Sequence, residues 1–154
     1  MMIPQFILIR NLGLSDTHLA LILVNGFSPF GVFMLRQFFL SVPNELLEAA
    51  RVDGMNEFGI FFKVAMPLAK TGFVSLGILT FLTIWNDFLI PLVFISSNNM
   101  RTLQLGIRLF VTAWSTDYAL MMAVAVVGIL PLFLVFVMGQ KHIVEGIAMS
   151  GIKG

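Results

Sequence analysis

Long apolar runs alternate with short polar stretches along the chain, and three of the runs are long enough to cross a bilayer. The clearest covers residues 119–138, "ALMMAVAVVGILPLFLVFVM", twenty residues without a charge; a spanning helix needs about that many. Pro131 lies inside it, which membrane helices tolerate when neighbours satisfy the freed carbonyl. The second run, residues 71–95, holds Asp87 as its only charge. The third, residues 19–40, is interrupted by Asn25, Ser28 and Pro29 and carries Arg36 near its end. This pattern predicts an all-α, polytopic membrane protein. Its transmembrane helices are expected at 19–40, 69–96 and 118–140, joined by a polar segment at 41–68 and a second at 97–117.

Composition strengthens that expectation. Of the 154 residues, 58% are hydrophobic and 11% charged, with sixteen Phe and ten Met. Soluble domains are about 45–50% apolar and about 25% charged. A chain this short cannot bury so much apolar surface in a water-soluble core, and a lipid bilayer is the natural solvent for the excess. The net charge of +1, with no basic stripe, gives no basis for a nucleic-acid partner. Without cysteine there is neither a disulfide framework nor thiolate chemistry.

Charge in the connecting segments sets an orientation. With three spans, residues 41–70 and the tail after Gln140 share one side, which carries Arg51, Lys63, Lys70, Lys141 and Lys153, with Arg36 at its edge. The opposite side carries Arg10, Arg101 and Arg108. The excess predicts a cytoplasmic location for 41–68 and 141–154 and an external one for 1–18 and 97–117. Trp114 and Tyr118 then fit an aromatic belt at the outer interface.

The segment at 41–68 gathers Glu48, Arg51, Asp53, Glu57 and Lys63 within a chain otherwise poor in charge. Its pattern predicts two short helices around a glycine turn. Ser41 is the expected N-cap of the first, with Pro43 in its first turn. Glu45 and Glu48 lie toward the positive end of its dipole. Gly54 is placed to end it in a left-handed conformation. Asn56 caps the second helix, which runs through "FGIFFKVAM" until Pro67 ends it or leads into the next span. Phe58, Ile60, Phe61 and Phe62 give it an apolar backing that a bare solvated loop does not need.

The spacing Glu48-Ala49-Ala50, three residues, Gly54, nine residues, Val64-x-Met66-Pro67 resembles the EAA motif, EAA-x3-G-x9-I-x-L-P, of the membrane permeases of binding-protein-dependent ABC importers. Val64 stands for Ile and Met66 for Leu, both apolar exchanges. The stretches "SPFGVFMLRQFFLSVPNELLEAARVDG", "TIWNDFLIPLVF", "MRTLQLGI" and "GIKG" are similar to the maltose-type sugar branch, so the likeness covers nearly the whole chain. Members of that branch have six spans; the resemblance implies that residues 1–154 correspond to the C-terminal half of such a permease. It further implies an inner-membrane protein of a prokaryote that carries no cofactor of its own. Its partners would be a cytoplasmic ATPase dimer that hydrolyses the ATP, a second permease subunit and an external solute-binding protein. Glu48, Ala49, Ala50, Asp53, Gly54 and Pro67 would couple it to the ATPase. In keeping with this, the chain has no G-x-x-x-x-G-K-[ST] phosphate cradle.

Other residues carry two readings each. Asp87, in "WNDF", is the only acid within an expected span; it either serves structure near the outer end or lies on a transport path with Asn86 and Trp85. Trp85 and Phe88 either stack on a sugar or pack on a neighbouring helix. The tail "GIAMSGIKG" is either disordered, as termini often are, or, as the resemblance suggests, reaches between ATPase subunits. His18 and His142 have no partner at ligand spacing, so no metal site is expected. No nucleophile, base and orienting group can be assembled, so no enzyme is expected. The functional expectation is an ATP-driven importer permease for a sugar or oligosaccharide. A permease for another solute, an ion-coupled secondary transporter fragment and a non-transporting membrane scaffold are the competing readings.

Overall fold

The computed structural model describes residues 2–107 and 118–151, with side chains as far as Gln140. All regular structure among these residues is helical. One helix, over Tyr118–Gln140, is long and apolar enough to cross a membrane unaided; counting each bent helix pair as one span raises the number to three. Trp114 and Arg108 lie outside the described residues. The chain divides into two compact units, Met1–Phe27 with Phe81–Val135, and Ser28–Thr80 with Phe136–Gly154.

In the first unit, α1 (Met2–Asn11) ends at Gly13, whose φ of +69° turns the chain. Gly13 N donates to Arg10 O (3.0 Å) and Leu14 N to Ile9 O (3.1 Å), which satisfies two carbonyls at the helix end. Thr17 caps α2 (His18–Asn25) by accepting from Ala20 N. Ile9, Ala20 and Phe94 form the buried core, with Leu14, Leu21, Val24 and Ile90 packed on it.

A clasp then joins the turn before α2 to the chain eighty residues on. Asp16 N donates to Phe94 O (3.1 Å), while Asp16 Oδ1 accepts from Ser96 N (2.8 Å) and Ser97 N (2.9 Å). His18 Nε2 donates to Met100 O at 3.0 Å. Asp16 has φ +59°, a left-handed conformation that aspartate tolerates better than most residues.

The second unit begins with α3 (Pro29–Leu40), where Ser28 Oγ accepts from Gly31 N and Pro29 occupies the first turn. Gly72, at the start of α7 (Lys70–Trp85), lies so close to α3 that a Cβ built on it would overlap the Phe38 ring. Phe39 contacts both Phe61 (ring centroids 5.7 Å) and Phe73 (5.8 Å). Later in the unit, a Cβ on Gly139, in α10 (Tyr118–Gly151), would overlap Ile78. Small residues let membrane helices approach this closely.

Two expected spans contain a break in the helix. Residues 19–40 are not one helix: α2 stops at Asn25 and α3 starts at Pro29. Proline disfavours helical backbone at the residue before it, and Ser28 is extended at φ −119°, ψ 111°. Residues 69–96 are not one helix either: α7 ends at Trp85 and α8 covers Leu89–Phe94. Asn86 Nδ2 takes the Leu82 carbonyl (2.8 Å), and Asp87 Oδ1 accepts from Leu89 N (3.0 Å) and Ile90 N (3.3 Å), opening the second helix. Residues 141–151, expected as a tail, continue α10.

Two expectations follow from this packing. Gly72→Val drives a branched side chain into Phe38; overpacking costs about 1–3 kcal/mol, so the thermal midpoint in detergent should fall. A midpoint equal to wild type would show that α3 and α7 are not in tight contact there. Asp16→Ala removes two backbone partners, so the Ser96 and Ser97 amides should exchange with deuterium several-fold faster. Because those N–H groups hold the Asp16 carboxyl below the usual aspartate range, the clasp is at full strength above that range. It should loosen only as the pH falls through the lowered value, so exchange at the two amides should show no titration step near neutrality.

Candidate functional site: the helix pair at 41–68

The first helix of the segment, α4 (Asn44–Val52), starts two residues later than its sequence suggests. Ser41 is not its cap: Ser41 Oγ donates back to Phe38 O (2.7 Å) at the end of α3. Pro43, extended at φ −61°, ψ 128°, occupies the N-cap position without a side-chain bond. The correction is physical: the residue before a proline is biased away from helix, and a preceding carbonyl was within reach of the hydroxyl. Glu45 lies in the first turn, where the dipole favours it.

The residues of the motif divide by burial. Ala50 is buried, whereas Glu48, Ala49 and Asp53 are exposed. Asp53 ends the helix, and its N donates to Ala49 O. Gly54 follows with φ +79°. Gly54 N donates to Arg51 O (3.0 Å) and Met55 N to Ala50 O (3.0 Å), a two-bond closure at the helix end. Nothing lies within 4 Å of a Cβ built on Gly54. Glycine is needed there for backbone conformation, not for space.

The second helix is assembled in three pieces. Asn56 Oδ1 accepts from Gly59 N (2.7 Å) and caps α5 (Glu57–Ile60), as its sequence predicts. A π turn over Phe61–Ala65 follows, closed by Met66 N donating to Phe61 O, and then α6 (Met66–Leu68). Pro67 has no N–H to give to the carbonyl four residues back, and its ring crowds that carbonyl. A widened turn just upstream relieves both problems. It also swings Ala65 toward the side that Ile60 occupies, so Ile60, Ala65 and Ala69 are all buried. Phe61 anchors the segment on Phe39. The chain bends by 69° between Glu57–Leu68 and Lys70–Trp85. Pro67 thus neither simply stops the helix nor continues it straight into α7.

Large apolar side chains remain uncovered around the turn. Val52 is 87% exposed and Phe58 79% exposed, with Phe62 also largely open. Exposed apolar residues of this size beside the exposed carboxylates of Glu48 and Asp53 leave a mixed, uncovered face. Arg51 forms a bidentate pair with Glu57, Nε to Oε1 at 2.8 Å and Nη2 to Oε2 at 3.2 Å. The hydrogen bond from Arg51 holds the Glu57 carboxyl below its usual range, and Glu57 in turn raises the guanidinium. Neither this pair nor the π turn was anticipated. Opposite charges six positions apart, flanking a glycine in left-handed conformation, were the available signal for the pair.

Trp85, Asn86 and Asp87 sit together at the break between α7 and α8, and the polar atom of each has a backbone partner. Trp85 Nε1 donates to Gly128 O (3.0 Å), and its ring stacks on Phe81 at 5.4 Å. Asn86 and Asp87 are engaged by Leu82 O and by the first amides of α8. These are packing and capping contacts. Among the described residues no group of His, Cys, Asp or Glu is arranged to hold a metal ion.

Residues 1–148 match the family of the binding-protein-dependent transport system inner membrane component. The arabinooligosaccharides transport system permease protein AraQ of Bacillus subtilis is 39% identical over 154 residues, covering 100% of this chain and 55% of its own length. The lactose transport system permease protein LacG of Rhizobium radiobacter is 35% identical over 150 residues, covering 97% of this chain and 55% of its own. A solved bacterial ABC transporter involved in import of the acidic polysaccharide alginate has a chain that superposes with a TM-score of 0.78 at 27% identity, over 92% of this chain and 55% of that one. The chain therefore spans about half the length of the curated relatives it matches. With all the regular structure of its described residues helical, and matched over nearly all its length, it is an all-α polytopic membrane protein that belongs to the binding-protein-dependent transport system inner membrane component family.

Proposed function

We propose that the chain acts as a membrane subunit of an ATP-driven importer for a sugar or oligosaccharide. In this reading residues 41–68 are the element through which a cytoplasmic ATPase dimer moves the membrane helices. The observation that carries it is the helix–glycine–helix at 44–68, which offers Glu48, Asp53, Val52 and Phe58 outward while Ala50, Ile60 and Ala65 anchor it inward. A partner pressing on α4 moves a body that is continuous with α7. A second permease subunit and an external solute-binding protein complete the assembly. ATP is hydrolysed by the partner, and this chain holds no cofactor.

The carbohydrate substrate class rests on the relatives, whose names specify arabinooligosaccharides and lactose, and on the alginate importer. An ion-coupled mechanism needs a carboxylate available within the membrane. Asp87 is the only acid in the expected spans, and its engagement at the start of α8 speaks for the ATP-driven reading.

Two measurements test this. Glu48→Ala and Gly54→Val should leave membrane abundance near normal while reducing ATPase co-purification and solute-stimulated hydrolysis. A charged hydrogen bond at an interface is worth about 1.5–3 kcal/mol, roughly tenfold to a hundredfold in affinity. Gly54→Asn should retain more activity than Gly54→Val, because asparagine tolerates positive φ. Full ATPase association and transport in both Glu48→Ala and Gly54→Val would show an ordinary solvated connection. Separately, a cysteine replacing Asn56 should resist an impermeant thiol reagent in intact cells, and one replacing Asn98 should react. The opposite pattern would invert the topology.

A further inference from the structure

Conformation at the elbow of the coupling element is held from both sides. The two bonds after α4 fix its end, and the Asn56 cap fixes the start of α5. Between them the chain is not wedged, since the space around Gly54 is open. A load on α4 can therefore be dissipated by rotation about residues 53–56 unless something ties the two helices together directly. Arg51, in the last turn of α4, and Glu57, the first residue of α5, make that tie with two hydrogen bonds. It is the only ion pair among the described residues.

We propose that Arg51 and Glu57 are a positioning pair that stiffens the elbow, so that movement imposed on α4 passes through Pro67 to α7 instead of being absorbed at the turn. The proposal rests on the coupling reading of the segment. It also divides the acids of the element by task. Glu57 is committed internally, whereas Glu48 and Asp53 have no hydrogen-bonded cation of their own and stay available to the partner. The pair is open to water, with side-chain exposures of 50% and 72%. Exposed ion pairs contribute little to stability and are screened by salt. Its effect is accordingly on the efficiency of coupling, not on folding.

The experiment uses the complete transporter, purified with its co-purifying subunits and reconstituted in vesicles, and reads solute imported per ATP hydrolysed. Arg51→Gln and Glu57→Gln should each lower that ratio about two- to fivefold, with membrane abundance and ATPase association unchanged. The swapped variant Arg51→Glu with Glu57→Arg should recover most of the ratio. Raising salt should lower the ratio of wild type but barely that of the single variants. Wild-type ratios in both single variants, or a swapped variant no better than the singles, would overturn the positioning role. So would loss of abundance or ATPase association in parallel with the ratio, which marks an ordinary structural role. If Glu48→Ala and Gly54→Val are also silent, the coupling reading fails as a whole; if they act while the pair does not, only the positioning role fails.

Discussion

In a hydrocarbon solvent every backbone N–H and C=O must find its partner within the protein, and this chain breaks its helices repeatedly. Several breaks, both within the expected spans and in the connections between them, carry a local compensation. Gly13 and Gly54 fold the chain back so that the next amides reach the helix-end carbonyls. Thr17, Ser28, Asn56 and Asp87 supply side-chain oxygens to the first amides of the helices that follow. Asn25, Ser28, Asn86 and Asp87, polar residues within the apolar runs, are thus fittings of helix ends. Asp87, the one acid within an expected span, belongs to this set.

Packing follows the same solvent. The buried core of the first unit is small, built on Ile9, Ala20 and Phe94, while large apolar residues along Tyr118–Met138 stay exposed. Water would penalise that surface heavily; lipid and neighbouring membrane helices do not. Where helices do meet, glycine opens the space: Gly72 for Phe38, Gly139 for Ile78 and Gly128 for Leu103. Packing energy here comes from close approach of surfaces rather than from removing apolar groups from water.

The segment at 44–68 joins the two themes. Its inner side is fixed by Ala50, Ile60, Ala65 and the Phe39–Phe61 contact, and its outer side keeps carboxylates and apolar residues uncovered. The 69° change of direction into α7 falls at Ala69, two residues after Pro67. The proposed coupling role needs a rigid shape and a free face. The local chemistry of glycine, proline, one cap and one ion pair supplies the shape, and incomplete burial supplies the face.

The sequence by itself determined the all-α membrane class, the glycine turn at Gly54, the Asn56 cap and the spacing that identifies the family. These depend on composition and on interactions within a few residues, which local physics decides. It left three things to the tertiary structure. The runs at 19–40 and 69–96 had the apolar content of single spans, yet Ser28, Asn86 and Asp87 broke them, because hydropathy counts residues and does not weigh capping against continuation. Ser41 turned back to α3 instead of capping α4, a competition between two nearby backbones that only the fold settles. The Asp16 clasp to Ser96 and Ser97 joins residues eighty and more positions apart, and the Arg51–Glu57 pair forms only because the Gly54 turn points two helices at each other. Contacts of that kind have no periodicity along the chain; they exist when the backbone has already placed their partners in reach.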